Sequence, residues 1–216
     1  MQESNTLKKI FSEIYDNDHW NMGQTDSKSG LGSSDDYTIN IRRELPLFIE
    51  TNGIRSMIDT SCGDWYWMKF IQSKFCDYTG IDVVPSVIEN NKKKYSNEKT
   101  RFICMDIVSY LKTLPSKSVD LILCRHTCEH LPITYIKELI QECKRVTKYL
   151  LLTTKKTSSD EKCNQEIVLG ETSYRPINLD LDPFLNILNQ HHVGCIYDGP
   201  ASKYDPQMFL YVYLFH

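Results

Sequence analysis

Long apolar runs are missing from this chain of 216 residues: no stretch approaches the ~20 residues a bilayer-spanning helix needs. The opening Met1-Gln-Glu-Ser-Asn-Thr lacks the apolar core of a secretory leader, so a cytoplasmic, reducing setting is expected. A strongly basic stripe is also missing. The Asn91–Lys94 run reads as a solvated helix end and the net charge is −3, which points away from nucleic acid and membrane partners. The Gly-x-Gly-x-x-Gly fingerprint is absent, which counts against a nicotinamide dehydrogenase. Cys124, Cys128 and His130 lie close together, but no second ligand pair stands at zinc-finger spacing, so no metal site is assigned to them. Internal repeats and low-complexity tracts are absent too.

What is present suits one domain with a full core: 41% hydrophobic and 25% charged residues. The 8 cysteines read as reduced thiols, and Cys104, Cys124 and Cys143 fall inside apolar elements as small buried hydrophobes. Helical periodicity marks residues 7–15 and 37–50, with a Gly/Ser-rich loop over 16–36 between them. An alternation follows: strands at 56–59, 77–82, 101–106, 119–124 and 149–154, with helices at 65–73, 85–95 and 133–146 and a short one after residue 106. The order predicts an α/β fold with a doubly wound, mostly parallel sheet. A long polar loop over 155–182, a helix at 183–190 and a strand pair at 194–199 and 208–215, turned at Asp205-Pro206, complete the chain.

The most informative stretch is Ser56-Met-Ile-Asp-Thr-Ser-Cys-Gly-Asp-Trp65, an apolar strand that ends in an acid and opens through Gly63 toward a helix. Such turns gather backbone N–H groups and helix N-termini, which suits nucleotide-like cofactors. Asp59, Asp82 and Asp106 end three successive strands, so a parallel sheet sets all three on one edge. Asp82 follows Gly63 by 19 residues, near the spacing at which an acid accepts from ribose hydroxyls. Asp106 suits an exocyclic adenine amine, with Met105 and Ile107 flanking the ring, and Asp59 can orient the turn or meet a cationic amino group.

Ile58-Asp-Thr-Ser-Cys-Gly-Asp64, Tyr78-Thr-Gly-Ile-Asp-Val-Val-Pro85, Cys104-Met-Asp-Ile107 and Val119-Asp-Leu-Ile-Leu-Cys-Arg125 together resemble the ordered motifs of class I S-adenosylmethionine (SAM)-dependent methyltransferases, over residues 54–154. The resemblance implies a Rossmann-like sheet of seven strands with the last antiparallel, and SAM as cofactor. It places Asp82 on the ribose, Asp106 on the adenine amine and Val83 against the base. Asp59, Thr60, Ser61, Gly63, Cys124 and Arg125 join the cofactor set, Arg125 holding the cofactor loop or contacting the acceptor. It also divides the single domain into N-terminal helices and lid (1–52), SAM core (53–154) and acceptor loop with final strand pair (155–216). The chain departs from the family's Asp-x-Gly-x-Gly-x-Gly: Ser61 and Trp65 stand at the first and third glycine places. Two readings of Trp65 stand, a cover over the cofactor or packing beneath the sheet. Gly63-Asp-Trp-Tyr-Trp-Met68 resembles the loop of a bacterial and viral subgroup often encoded with glycan genes.

Methyl transfer to a hydroxyl calls for positioning and a base. After the fourth strand the chain reads Cys124-Arg-His-Thr-Cys-Glu-His-Leu-Pro132, with His126, Glu129 and His130 spaced to share a helical face. Either histidine can serve as the base. Ubiquinone-pathway O-methyltransferases bind a divalent metal with acid and His residues at similar places; His126 replaces the first acid, so a metal is not favoured. Residues 20–34 form a candidate lid carrying Trp20 to shield the methyl group, and Arg42 can meet the cofactor carboxylate. In the late loop, Asn164, Tyr174, Arg175 and Asn178 offer donors, acceptors and a stacking face for a sugar, in a pattern like that of the glycan-associated subgroup. The expected activity is O-methylation of a small polar acceptor, foremost a sugar in a glycan or nucleotide sugar. N-methylation of a small amine and a degenerate SAM-binding protein without activity are the alternatives; monomer and homodimer both stand.

Overall fold

The computed structural model describes residues 2–21, 23, 25–71, 77–156, 163–170, 173–202 and 208–216. Seven strands form one sheet: β1 (Ser56–Asp59), β2 (Asp77–Asp82), β3 (Thr100–Cys104), β4 (Val119–Cys124), β5 (Thr147–Lys155), β6 (His192–Tyr197) and β7 (Met208–Leu214). Their order is β3-β2-β1-β4-β5-β7-β6. β1 to β5 pair in parallel, whereas β7 runs antiparallel to β5 and to β6. The order reverses between β1 and β4, and the loops that leave those strands diverge there to open a crevice.

The helices are α1 (Gln2–Asp16), α2 (Asp35–Thr51), α3 (Pro85–Tyr95), α4 (Ile107–Lys112), α5 (Ile133–Val146) and α6 (Leu185–Leu188). Successive side chains of β4 face opposite sides of the sheet. Ile122 and Cys124 join the core under α5, with Ile136, Leu139, Ile140 and Cys143, while Leu121 and Leu123 join the core under α2, with Ile41, Leu45 and Ile49. That two-sided burial explains why β4 reads as a continuous apolar run.

Three expectations need correction. The helix foreseen at 65–73 is a 3-10 turn at Met68–Phe70, residues 72 and 73 lying outside the described set. Trp65 takes φ +58, which breaks a regular helical start, and its buried ring packs against Tyr78, Tyr95 and Phe102. β3 stops at Cys104 because Asp106 caps α4 by accepting from the Ser109 N–H at 2.8 Å. The helix foreseen at 183–190 is the short α6 followed by a 3-10 turn, Asn189–His191. The Asp205-Pro206 turn lies outside the described residues. Among the described residues no helix is long and apolar enough to cross a membrane.

Candidate active site

A cleft of about 870 Å³, open to solvent, occupies the crevice at the β1/β4 reversal. Its first wall is the loop after β1. Asp82, at the end of β2, accepts from the Gly63 N–H at 3.1 Å and from the Val84 N–H at 3.0 Å. Burial raises its carboxyl to about 6, against those backbone donors. Asn91 of α3 holds the Gly63 carbonyl with a 2.7 Å bond. Gly63 sits at φ +52, and a Cβ there would collide with Ser29 Oγ and the Tyr15 hydroxyl, so only glycine lets Ser29 and α1 approach this turn so closely. Asp59 is buried and raised to about 7 by that burial, although the Tyr78 hydroxyl donates to it at 2.8 Å.

Asp64 holds the candidate lid down. Its carboxylate accepts from Ser27 Oγ, from the Lys28 N–H at 2.7 Å and from Ser29 Oγ at 2.9 Å. Ser29 in turn meets the Tyr15 hydroxyl at 2.7 Å.

The second wall is the loop after β4. The Ser61 and Thr127 hydroxyls bond across the crevice and tie the two loops together. Arg125 is buried; its Nε donates to both Asp198 oxygens, at 2.8 and 3.0 Å, and its guanidinium lies 5.3 Å from the Trp67 ring centroid. His126, at φ +50, is held at Nδ1 by Glu129 Oε1 at 3.2 Å, and its Nε2 faces Asp198 Oδ2 at 3.5 Å without a hydrogen bond. Burial opposes ionisation of Glu129, yet the hydrogen bond and charge of His126 leave its pKa below the usual value.

His130 differs. Its Nδ1 lies 2.7 Å from the Ser173 carbonyl oxygen. A carbonyl can only accept, so Nδ1 carries the proton and the neutral ring keeps its lone pair on Nε2. Burial lowers the pKa of His130 despite the nearby Glu129 carboxylate. The ring sits between Trp20 and Tyr174, at centroid distances of 5.1 and 5.7 Å.

Trp20, Asp59, Thr60, Ser61, Gly63, Asp82, Val83, Ile107, Arg125, His126 and His130 all line the cleft. Others of the expected set lie elsewhere. Arg42 pairs with Asp35 of its own helix, α2, at 3.3 Å and covers the Phe70 ring, and it lies outside the cleft lining. Met105 is 41% exposed and outside the lining. Asp106 spends one oxygen on the α4 cap and the other on the Tyr135 hydroxyl at 2.5 Å; Tyr135 lines the cleft in its place. Cys124 is buried in β4 with its sulfur 3.8 Å from that of Cys128. Glu129 stands behind His126 and outside the lining.

The late loop uses most of its polar groups on backbone groups of the protein, its own and those of the loop after β4. Asn164 donates to the Asn178 and Asp182 carbonyls and accepts from the Asn178 N–H. Asn178 accepts from the Asp180 N–H. Arg175, buried, donates to the Cys128, Glu129 and Leu131 carbonyls and so fixes the turn that carries His130. Tyr174 alone of the four stays exposed, at 55%. Trp65 packs beneath the sheet, which settles its two readings, and Trp67 lines the cleft instead.

Sequence reasoning missed Tyr15, Trp67, Tyr135 and Asp198. Asp198 carried a readable signal: it directly follows β6, which runs in the same direction as β5, so it is another acid at the same sheet edge. Among the described residues no cluster of His, Cys, Asp and Glu could hold a metal ion, and the seven described cysteines are free thiols.

Residues 58–149 match a family described as a methyltransferase domain, a span that begins in β1 and ends in β5. No curated protein matches the sequence. Among solved structures, the chain is similar to magnesium protoporphyrin IX methyltransferase from Synechocystis PCC 6803 with bound SAM, at 12% identity and TM-score 0.63, covering 100% of this chain and 98% of that one. It is also similar to a Burkholderia thailandensis 1,6-didemethyltoxoflavin-N1-methyltransferase, at 12% identity and TM-score 0.62, over 99% and 88% of the chains. A SAM-dependent methyltransferase from Archaeoglobus fulgidus aligns over only 55% of either chain, with TM-score 0.44, too loosely to bear on the fold.

The residues fit the cofactor. Apolar Val83 and Ile107, the Asp82 carboxylate and the Asp59–Gly63 turn follow one another along the sheet edge, matching a flat base, a diol and a charged chain. The chain has the Rossmann-like architecture of class I methyltransferases, and the matched methyltransferase domain carries this cleft, which supports SAM-dependent methyl transfer.

Proposed function

We propose that the protein is an O-methyltransferase that acts on a hydroxyl of a small polar acceptor, foremost a sugar in a glycan or nucleotide sugar, with His130 as general base. The observation that carries this reading is the 2.7 Å bond from His130 Nδ1 to the Ser173 carbonyl, which leaves Nε2 as the ring's proton acceptor. His126 is the poorer base, because its Nε2 is buried against Asp198.

When bound, SAM supplies an electrophilic methyl group. The chain supplies the rest. Asp82 receives the ribose hydroxyls, Val83 and Ile107 pack on the base, and the Asp59–Gly63 turn takes the amino-acid end. Trp20 and the latched lid exclude water. His130 Nε2 accepts the proton of the acceptor hydroxyl, a contribution of roughly 10²–10⁴-fold in rate. Trp20 and Tyr174 flank His130 with flat faces on which the C–H face of a sugar ring can stack.

The test is transfer of radiolabel from SAM to a panel of sugars, nucleotide sugars, polysaccharide fragments and amines. Labelled sugar that disappears with His130→Ala supports the reading. Label on amines alone, insensitive to His130→Ala, replaces it with N-methylation.

A further inference from the structure

Buried polar atoms without partners need an explanation, and three of them share one short loop. Arg125 Nη2, His126 Nε2 and Glu129 Oε2 have no hydrogen-bond partner among the described residues. Arg125 is the sharpest case. Its side chain is 4% exposed and that of Asp198 0%, yet Asp198 engages only Nε and leaves the outer edge of the guanidinium unused. A planar cation held at one edge presents the other to a planar anion. Arg125 lines the cleft together with Thr127 of its own loop and with Asp59 and Ser61 of the facing turn after β1.

We infer that Arg125, held by Asp198, is the carboxylate anchor of the cleft and receives the carboxylate of the cofactor's amino-acid end, with Asp198 as its positioning residue. Asp59 is close enough to feel the Arg125 charge, so one place offers a cation and an anion to a zwitterion. Arg42, the residue the sequence offered for this carboxylate, is committed to Asp35. The inference rests on assignment of the cleft to SAM.

The experiment compares S-adenosylhomocysteine with 5′-methylthioadenosine, which keeps the nucleoside and thioether but lacks the amino-acid end. Calorimetry on the full chain measures both. The wild type should favour S-adenosylhomocysteine. Arg125→Gln should weaken it by about tenfold or more and leave methylthioadenosine within about twofold. Asp198→Asn should act in the same direction by a smaller factor.

If Arg125→Gln does not fold by circular dichroism, Arg125→Lys, which keeps the charge and loses the fork, and Asp198→Asn decide by the same affinity ratio. Equal losses for both ligands make Arg125 a structural residue and overturn the inference. Unchanged binding of both, the result expected if the anchor serves an acid group on the acceptor, also overturns it. Failure of the wild type to bind either ligand overturns the SAM assignment itself, whereas equal wild-type affinity for both overturns the carboxylate anchor alone.

Discussion

The loops after β1 and β4 face each other across one crevice, and they keep their hydrogen-bond accounts differently. At the first, Asp59, Asp64 and Asp82 all accept bonds, and none has an unpaired buried oxygen among the described residues. At the second, Arg125, His126 and Glu129 each keep a buried atom unpaired, and His130 keeps a basic nitrogen. Trp65 Nε1, packed beneath the first loop, is the exception there. A loop whose carboxylates are satisfied is a fixed surface against which a cofactor can rest; a loop with several unpaired polar atoms facing a cleft is arranged for partners that arrive with the reaction. On the proposed function, shape belongs to the first and chemistry to the second.

The largest expected effect breaks this division if it fails. His130→Ala should lower kcat by roughly 10²–10⁴-fold while affinity for S-adenosylhomocysteine changes little. His126→Ala should cost much less in kcat. The reverse ranking moves the base to His126. Because burial holds the His130 pKa below 6.5, the acid limb of kcat should fall below that value, and a limb above it assigns the base elsewhere.

The next effect sharpens the first loop. The folded Asp59 carboxyl titrates at about 7 and Asp82 at about 6, above the reference 3.8. The folded state therefore binds more protons than the unfolded chain between those values. These groups stabilise fully below about 4, and that stability is lost as pH rises to about 7. For Asp59 the change is on the order of 4 kcal/mol. Thermal melts without ligand should fall in Tm from pH 5 to 7, and Asp59→Asn should flatten that fall. An equally steep fall in the variant removes Asp59 as its source.

The same comparison shows what was legible in the residues. Strands β1, β2 and β4 were readable to the residue because their apolar runs end in an acid or at a loop signal, and buried parallel strands leave little else in the pattern. The positions of Asp59 and Asp82 followed from strand order alone. The fates of Asn164, Arg175 and Asn178 did not, because a polar side chain in a loop reads the same whether it meets a ligand or the protein's own backbone. Trp65 was ambiguous for a related reason: its positive φ, set by packing on Tyr78 and Tyr95, has no signature in the sequence. Asp198 was missed because its partner, Arg125, lies 73 residues earlier.

Gly63→Ala probes the fit between lid and first loop. At φ +52 an alanine is strained, and its Cβ meets Ser29 Oγ and the Tyr15 hydroxyl. A loss of about 1–3 kcal/mol in chemical denaturation is expected, with weaker cofactor binding. A neutral result means that the lid does not rest on this turn in solution.

The smallest expected effect concerns the latch itself. Asp64 receives two hydroxyls and a backbone N–H from residues 27–29, so its charge holds the lid against the first loop. Asp64→Asn keeps the volume and one acceptor oxygen but loses the charge, at a cost of about 0.5–1.5 kcal/mol. In a chain of 216 residues that lowers Tm by only about 1–5 °C. The informative reading is kinetic. Because Asp64 lies on the cofactor wall and reaches His130 only through the lid's Trp20, stopped-flow dissociation of S-adenosylhomocysteine should quicken several-fold while single-turnover methyl transfer slows by much less. A slowed chemical step with unchanged dissociation would mean that the first loop takes part in the chemistry, and the division between the two walls would not stand.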